Sequence, residues 1–200
     1  APCVVIESDG RDDWGNPLMP PWPDWRDREA RSLRERIREA GIVGLGGAAF
    51  PTAVKLNPRP GKRIHTLVVN GAECEPYITC DDLLMRTYPG AVLDGVRIIA
   101  HLLGAERVLF AVEDNKPKAL RALSDALPEG ERGFIRLVAV PSIYPTGGER
   151  QLIRVLTGRE VPSAGLPADL GIVCHNPGTL KAVRDAVLLG QPLISRIVTV

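Results

Sequence analysis

The stretch IHTLVVNGAECEPY, residues 64–77, decides the fold because it joins an apolar strand to a polar turn that ends in proline. Outward from it, strand patterns alternate with helical ones. The alternation predicts strands at 64–69, 107–112, 134–140 and 172–174, and helices at 91–103, 118–127, 149–156 and 179–189. This order predicts an α/β domain with a mostly parallel sheet and helices on both faces. Such sheets bind ligands beyond the carboxyl ends of their strands.

The residues before this alternation have a different character. Val4 to Glu7 is predicted to be a short strand with no partner nearby in the sequence. The segment from Trp14 to Trp25, rich in proline and tryptophan, is predicted to be a linker that wraps over a surface. Asp24 is predicted to cap a helix reaching about Ala40, with its arginines in solvent. The buried stripe of that helix is predicted to be Ala30, Leu33, Ile37 and Ala40.

Composition limits the classes of function. The 200 residues carry 25 Lys and Arg against 24 Asp and Glu, so charge does not favour nucleic acid or an anionic membrane surface. The four cysteines include no C-x-x-C pair, which favours free thiols in a reducing compartment. No apolar run approaches the roughly 20 residues of a membrane span. Because the chain begins at Ala1 without a leader pattern, we expect a piece of a longer protein.

The sequence GIVGLGGAAFPTAVK, residues 41–55, is the first candidate site. Lys55 supplies a cation to this loop. The alternative of a helix C-cap accounts for Gly41 alone. The other alternative, the fingerprint of a Rossmann dehydrogenase, requires a preceding strand, whereas a helix is predicted there. The glycines that would let backbone N–H groups approach a phosphate or a flat ring are Gly44, Gly46 and Gly47.

Polar side chains follow directly after the strand at 64–69. Asn70 offers an amide for the edge of a heterocycle, and Glu73 and Glu75 offer acceptors for ribose or ribityl hydroxyls. An ordinary polar turn is the alternative. A metal site is not predicted, because the candidate ligands lack a histidine and tight spacing; these are Glu73, Cys74, Glu75, Cys80 and Asp81. Cys74 has no neighbouring histidine to activate it as a nucleophile.

Two later turns hold the same position relative to their strands. YPTGGERQ, residues 144–151, places two glycines at the start of a helix, where free N–H groups bind anions. Glu149 could instead stabilise the helix dipole. CHNPGT, residues 174–179, offers hydrogen bonds from Asn and Thr. Together with the first two turns, they predict a ligand site at one edge of the sheet.

Five motifs resemble the C subunit of the Rnf electron transport complex and, more distantly, the flavoprotein subunit of respiratory complex I. In chain order they are GLGGAAFPTAVKL, NGAECEPYITCDD, EDNKP, YPTGGERQLIRVLTGREVP and CHNPGTLKAV. The resemblance extends from about Leu33 to Val200. It implies a Rossmann-like FMN-binding domain of the complex I flavoprotein type, in which NADH reduces a noncovalently bound FMN.

The resemblance implies roles for individual residues. Phe50 and Glu75 match positions that contact the nicotinamide nucleotide. No side chain is expected to be catalytic, because the flavin carries the chemistry, and no metal ligand is expected. The phosphate side of FMN is implied to contact Gly44, Gly46 and Lys55, with Gly47 in the same loop, and the phosphate end is implied to contact His175, Asn176 and Thr179. The flavin is implied to be lined by Asn70, Ala72, Glu73 and Cys74, with Gly147, Gly148 and Glu149 on the opposite wall.

This chain departs from the family pattern at three positions. Ala72 stands where the complex I flavoprotein has Asp, and Gly148 stands where it has Glu, so some polar contacts of that flavoprotein are not possible here. Ala49 replaces the glycine usual before Phe-Pro-Thr, and its methyl group would narrow the cavity.

The resemblance also implies the surroundings of the domain. Residues 1–23 would be the end of a barrel-sandwich piece and a linker, 24–195 the FMN- and NADH-binding domain, and 196–200 the start of a β-grasp domain. [4Fe-4S] clusters are expected only in the missing C-terminal part. The expected partners are other subunits of a membrane electron transport complex and ferredoxin-like carriers, at the cytoplasmic face of the bacterial inner membrane. The alternatives are the flavin module of a cobalamin reductase and a docking domain that has lost FMN.

Overall fold

A parallel sheet forms the centre of the molecule. The computed structural model describes residues 3–11 and 19–200. Within these ranges, four strands lie in the order β3-β2-β1-β4, and every neighbouring pair is parallel. Their carboxyl ends therefore meet at one edge of the sheet. The strands are β1 (Thr66–Gly71), β2 (Arg107–Glu113), β3 (Ile135–Val140) and β4 (Ile172–His175).

Helices connect the strands, and residue types at the helix ends explain several boundaries. Three helices begin with proline, which needs no hydrogen-bond partner at that position. Two end at glycines with positive φ, Gly104 and Gly158. The helices in the described ranges are α1 (Ala30–Glu39), α2 (Thr52–Lys55), α3 (Cys80–Thr87), α4 (Pro89–Leu103), α5 (Pro117–Ala126), α6 (Glu149–Thr157) and α7 (Pro177–Arg184), and a π-helical turn, Asp185–Leu189, continues α7.

Alternate residues of the strands face two apolar cores. Leu67 and Phe110 belong to the larger core, which includes residues of α1, α4, α5 and α7. Val68 faces the smaller core, where α6 contributes Leu152 and Ile153. Both sheet faces are thus covered by helices, which confirms the predicted fold class.

The N-terminal predictions are only partly right. Residues 3–11 contain no strand, and Val4 to Ile6 are exposed, so the strand predicted at Val4 to Glu7 is wrong. Without a partner strand, its backbone has no ladder to join. Residues 12–18 of the predicted linker region lie outside the described residues. The part of the linker from Met19 onward packs on the domain: Met19 is buried, and the Trp22 N–H donates to the Val187 carbonyl at 2.8 Å.

The helix predicted from Asp24 to Ala40 is shorter than expected. A 3₁₀ turn, Trp25–Asp27, and extended backbone at Arg28 precede α1. Asp24 stands before the 3₁₀ turn and not before α1, and its side chain makes no capping hydrogen bond; its carboxylate accepts a hydrogen bond from the Arg28 guanidinium at 2.8 Å.

The apolar stripe of α1 is buried or packed against the core as predicted, but its arginines are not all in solvent. The Arg36 guanidinium lies 3.9 Å from the Trp22 ring centroid and donates to the Pro20 carbonyl at 2.9 Å. Arg36 therefore attaches the linker to α1 through a cation–π contact and a hydrogen bond.

Candidate functional site

Hydrogen bonds join the predicted turns at the carboxyl edge of the sheet. The side-chain amide of Asn70, near the end of β1, donates to the Gly147 carbonyl after β3 at 2.7 Å. The Leu45 N–H of the glycine loop donates to Thr179 Oγ1 in α7 at 2.9 Å. Segments that are distant in sequence thus form one continuous surface at the edge where parallel sheets bind ligands.

The glycine loop, residues 43–51, is closed on itself. Val43 and Pro51 form an isolated antiparallel bridge, and the Gly44 N–H donates to the Phe50 carbonyl at 2.8 Å. Gly47 has a φ of +106°, which favours glycine. Ala49 adopts a φ of +49°, and this left-handed conformation gives a physical reason for the glycine usual at that position. Helix α1 precedes the loop, so the Rossmann dehydrogenase alternative, which requires a strand there, is wrong.

Gly147 brings the turns after β1 and β3 into close backbone contact. A Cβ placed on Gly147 would overlap the Ala72 carbonyl and lie 2.9 Å from Cys74 Sγ. The Gly147 N–H donates to that sulfur at 3.3 Å, and the Ala72 N–H donates to Asn70 Oδ1 at 3.2 Å. The amide of Asn70 therefore links the turns, and the described part of the chain leaves one of its hydrogens and one acceptor position available to a ligand.

Glu73 is buried and supports the start of α3. Its Oε1 accepts the Asp81 N–H at 2.9 Å, and its Oε2 accepts the Asp82 N–H at 3.2 Å. The Cys80 thiol donates to Oε1 at 3.2 Å, and Lys116 Nζ lies 3.9 Å from Oε2. These contacts satisfy N–H groups that a helix start leaves unpaired. The role of Glu73 as a ribityl acceptor stays a prediction, beside the structural role that these bonds define.

An ion pair crosses the site between the glycine-loop side and the start of α6. Lys55 Nζ lies 2.6 Å from Glu149 Oε1, and both side chains are about one-third exposed. Residues predicted for the phosphate side and the opposite flavin wall thus touch each other. The pair reduces the net positive charge that Lys55 alone would present to a phosphate.

The last residue of β4 is a buried neutral histidine. His175 Nε2 is buried without a hydrogen-bond partner in the described part of the chain. Burial, together with the positive charge of Lys55, lowers the pKa of His175 to about 3, so the ring is neutral at physiological pH. An unpaired buried nitrogen at this edge is a candidate contact for a ligand.

Asn176 links the start of α7 to α3. Its Oδ1 accepts the Gly178 N–H at 2.8 Å and the Thr179 N–H at 3.3 Å, which caps α7. Its Nδ2 donates to Asp81 Oδ2 at 2.6 Å. A Cβ on Gly46 would lie 3.4 Å from the Asn176 Cβ, so the glycine loop packs closely on this residue.

The predicted nicotinamide contacts lie on the surface. Phe50 is 51% exposed, and Glu75 is exposed in the turn after β1. Gly148, on the predicted opposite wall, is the N-cap of α6, and an added Cβ would lie 2.6 Å from Gln151 Oε1. Phe50 is therefore about half exposed, and the Glu75 side chain has no hydrogen-bond or ion-pair partner among the residues that the structure describes.

Asp81 is the residue at this edge whose importance the sequence does not reveal. From the sequence it is only one of the acids of a rejected metal site, yet it contacts Asn176 and lies beside Glu73. The sequence does contain one signal for the start of α3: two acidic residues follow Thr79, and acidic residues favour the first turn of a helix. No group of three or more His, Cys, Asp or Glu side chains suited to a metal ion occurs within residues 3–11 and 19–200.

The fold and the contacts define a class of protein: a parallel α/β domain whose glycine loop and strand-end turns meet at the sheet edge where such domains bind ligands. The chain belongs to the Nuo51 FMN-binding domain family, which matches residues 37–185.

Relatives confirm the resemblance to the Rnf protein. The chain is 60% identical over its whole length to the C subunit of an ion-translocating oxidoreductase complex of Pseudomonas aeruginosa, of which it covers 25%. It is 48% identical over 99% of its length to the C subunit of a proton-translocating ferredoxin:NAD(+) oxidoreductase complex of Clostridium ljungdahlii, of which it covers 42%. The chain thus spans between a quarter and less than half of these relatives.

A solved structure confirms the fold. The crystal structure of an NAD⁺-reducing [NiFe]-hydrogenase in the air-oxidized state matches with a TM-score of 0.70 and 25% identity, over 82% of this chain and 31% of that one. No helix in the described ranges is long and apolar enough to cross a membrane.

Proposed function

We propose that this chain is an FMN-binding electron-transfer module that exchanges electrons between NADH and iron–sulfur clusters elsewhere in an ion-translocating complex. The junction of the glycine loop with the turns after β1, β3 and β4 at one sheet edge is the observation that carries the proposal. The family match and the names of the relatives, which include ferredoxin and NAD(+), support the same function. Ferredoxin-like carriers and the inner face of the bacterial membrane are part of this proposal.

The residues present fit FMN. Gly147 permits a close backbone approach that a side chain would block, and His175 provides a buried nitrogen without a partner. Asn70 keeps hydrogen-bonding capacity beside them. The glycine loop, Lys55 and the turn from His175 to Thr179 would hold the phosphate end, and the turns containing Ala72 and Gly147 would face the ring.

FMN, when bound, supplies the redox chemistry, taking a hydride from NADH and releasing electrons one at a time. The protein's part is binding and orientation. Lys55 adds a cation beside Glu149, and the neutral ring of His175 can exchange hydrogen bonds without adding charge. Phe50 and Glu75, both exposed at the rim, are proposed to orient the nicotinamide nucleotide.

FMN titration of the purified chain, followed by flavin fluorescence, tests the cofactor proposal. Gly46→Val should lose FMN, since a branched side chain would push on Asn176, which is 3.4 Å from the added Cβ position. Gly133→Val is the matched control, because a Cβ at Gly133 has open space around it. A wild-type chain that binds no flavin would favour the docking-domain alternative, and flavin retention by Gly46→Val would refute the assigned place of the glycine loop.

Stopped-flow reduction tests the nucleotide proposal. Glu75→Gln should leave FMN content and affinity unchanged but slow reduction by NADH, while reduction by dithionite stays at the wild-type rate. Glu106→Gln is the control, because Glu106 is exposed and pairs with Arg63 just before β2, at the opposite edge of the sheet. Loss of FMN from Glu75→Gln with normal reduction of the remaining flavin would move Glu75 to the flavin and leave Phe50 as the first nicotinamide candidate.

A further inference from the structure

Asp81 occupies the junction between two helix starts. It is the second residue of α3, whose first N–H groups are held by Glu73. Its carboxylate reaches across to Asn176, the cap of α7, which is 95 positions away in the sequence. A single carboxylate thus connects the turn after β1, through α3, with the turn after β4.

The side chain of Asn176 is oriented by its contacts. Because Oδ1 accepts the Gly178 and Thr179 N–H groups, the amide nitrogen must point the other way, toward Asp81. Thr179 then accepts the Leu45 N–H through its hydroxyl, which extends the connection to the glycine loop. The order of contacts is Asp81, Asn176, the first turn of α7, and the glycine loop.

We propose that Asp81 is a positioning residue that holds Asn176, and through it the α7 start and the glycine loop, in the arrangement that receives the phosphate end of FMN. The inference rests on the proposed function for the identity of the ligand. The position of Asn176 itself is a property of the protein alone and is measured separately.

The charges around Asp81 couple this contact to pH. Glu73 and Glu75 face it from the turn after β1, and Lys116 reaches the site through Glu73. On its own helix Asp82 pairs with Arg86, and on α7 Lys181 and Arg184 both pair with Asp185. Burial, followed by repulsion from Glu73, raises the pKa of Asp81 to about 7, although the Asn176 hydrogen bond opposes this rise.

The sign of the pH effect follows from this arrangement. Below pH 7 most Asp81 side chains are protonated, and above it a carboxylate stands near the phosphate-binding turn. FMN, whose phosphate is negatively charged, should therefore bind more tightly when Asp81 is protonated, and its affinity should fall as the pH rises. Because a bound phosphate would raise the pKa of Asp81 further above its value of about 7, the FMN Kd should rise by roughly a few-fold between pH 6 and pH 8.

The experiment compares Asp81→Asn, Asp81→Ala and Asp82→Asn by FMN and riboflavin titration at pH 6, 7 and 8. Asp81→Asn keeps an acceptor for Asn176 without the charge, so it should bind FMN as tightly as the wild type at pH 6 and lose the extra pH dependence. Asp81→Ala, which lacks both the charge and the acceptor, should bind FMN about tenfold more weakly than the wild type at pH 6 and should also lose the extra pH dependence. Asp82→Asn should behave as the wild type. Ionisation of the phosphate itself is common to all four proteins, and riboflavin should show no Asp81-dependent pH effect.

Hydrogen exchange keeps the two proposals distinguishable. In Asp81→Ala the Gly178 and Thr179 amides should exchange faster than in Asp82→Asn, with or without flavin, while Asp81→Asn keeps them protected. If the wild type binds no FMN, the cofactor proposal fails, and exchange alone decides whether Asp81 positions Asn176. If FMN binds but affinity and pH profile are the same in all the variants, the inference about Asp81 is overturned. Should Asp81→Ala not fold, the comparison of wild type with Asp81→Asn still decides.

Discussion

Replacing Gly147 with alanine is the sharpest test of how the site is assembled. The new methyl group would overlap the Ala72 carbonyl and lie 2.9 Å from Cys74 Sγ. To remove this overlap the turn after β3 must move by ~1 Å, because a backbone oxygen cannot rotate away as a side chain can. That movement weakens the hydrogen bond from Asn70 to the Gly147 carbonyl, now 2.7 Å, and the bond from the Gly147 N–H to the Cys74 sulfur, now 3.3 Å.

Two terms set the size of the effect. Overpacking against backbone costs about 1–3 kcal/mol, and each weakened hydrogen bond adds up to about 1 kcal/mol. We therefore expect Gly147→Ala to lower the free energy of unfolding by about 2–4 kcal/mol and the Tm by roughly 5–15 °C. Flavin affinity should fall in the folded protein as well, since the turns would separate.

Urea unfolding followed by tryptophan fluorescence measures the first effect, and flavin titration below the transition measures the second. Gly133→Ala is the control, because an added Cβ there meets no atom within 4 Å, and its unfolding midpoint should stay near that of the wild type. Cys74→Ala removes only the sulfur contact and should fall between the two. Equal midpoints and equal flavin affinities for Gly147→Ala and Gly133→Ala would refute the close approach of the turns.

Three further changes test other parts of the structure. Acid should destabilise the wild type through His175, whose pKa is about 3 in the folded protein but about 6.5 in the unfolded chain. Between pH 7 and pH 5 the unfolded chain therefore gains a proton that the folded protein does not, and the free energy of unfolding falls by about 2 kcal/mol. Urea midpoints of His175→Leu should lack this component, and an unchanged pH slope would contradict the assignment. Gly95→Ala should destabilise by about 2 kcal/mol or more in thermal unfolding, because its Cβ would overlap the Leu180 backbone where α4 crosses α7; a Tm equal to that of the wild type would exclude the clash. Lys55→Ala should weaken FMN more than riboflavin in fluorescence titrations, with Lys62→Ala as the control, and equal losses of both ligands would remove Lys55 from the phosphate.

The strands and longer helices could be predicted because their signals are local. The strand predicted at 107–112 is observed at Arg107–Glu113, and the helix predicted at 91–103 is observed at Pro89–Leu103. The sequence does not predict α3, because this helix is short and its apolar residues, Leu83 to Met85, lack the spacing of a helical stripe.

The site was harder to predict because its contacts join distant segments. The sequence suggests a ligand role for Glu73, but its partners are the backbone N–H groups of α3, a helix that the sequence does not predict. Likewise the sequence suggests separate roles for Lys55 and Glu149, whereas the fold pairs them. Which turns meet at the sheet edge follows from the order of the strands in the sheet, and a single sequence carries little information about that order.

The pairing of β4 with β1 bears on the order in which the protein becomes functional during synthesis. Thr66 in β1 pairs with Ile172 in β4, more than a hundred residues later in the chain. A ribosome-bound chain that ends before Ile172 can pair β1 with β2 but leaves the other edge of β1 open, and such an edge invites pairing with other chains. The same late strand delivers Asn176 and the start of α7. The proposed cofactor site is therefore completed by the same step that pairs the open side of β1, so a chain in which that site is assembled no longer exposes this side of its central strand.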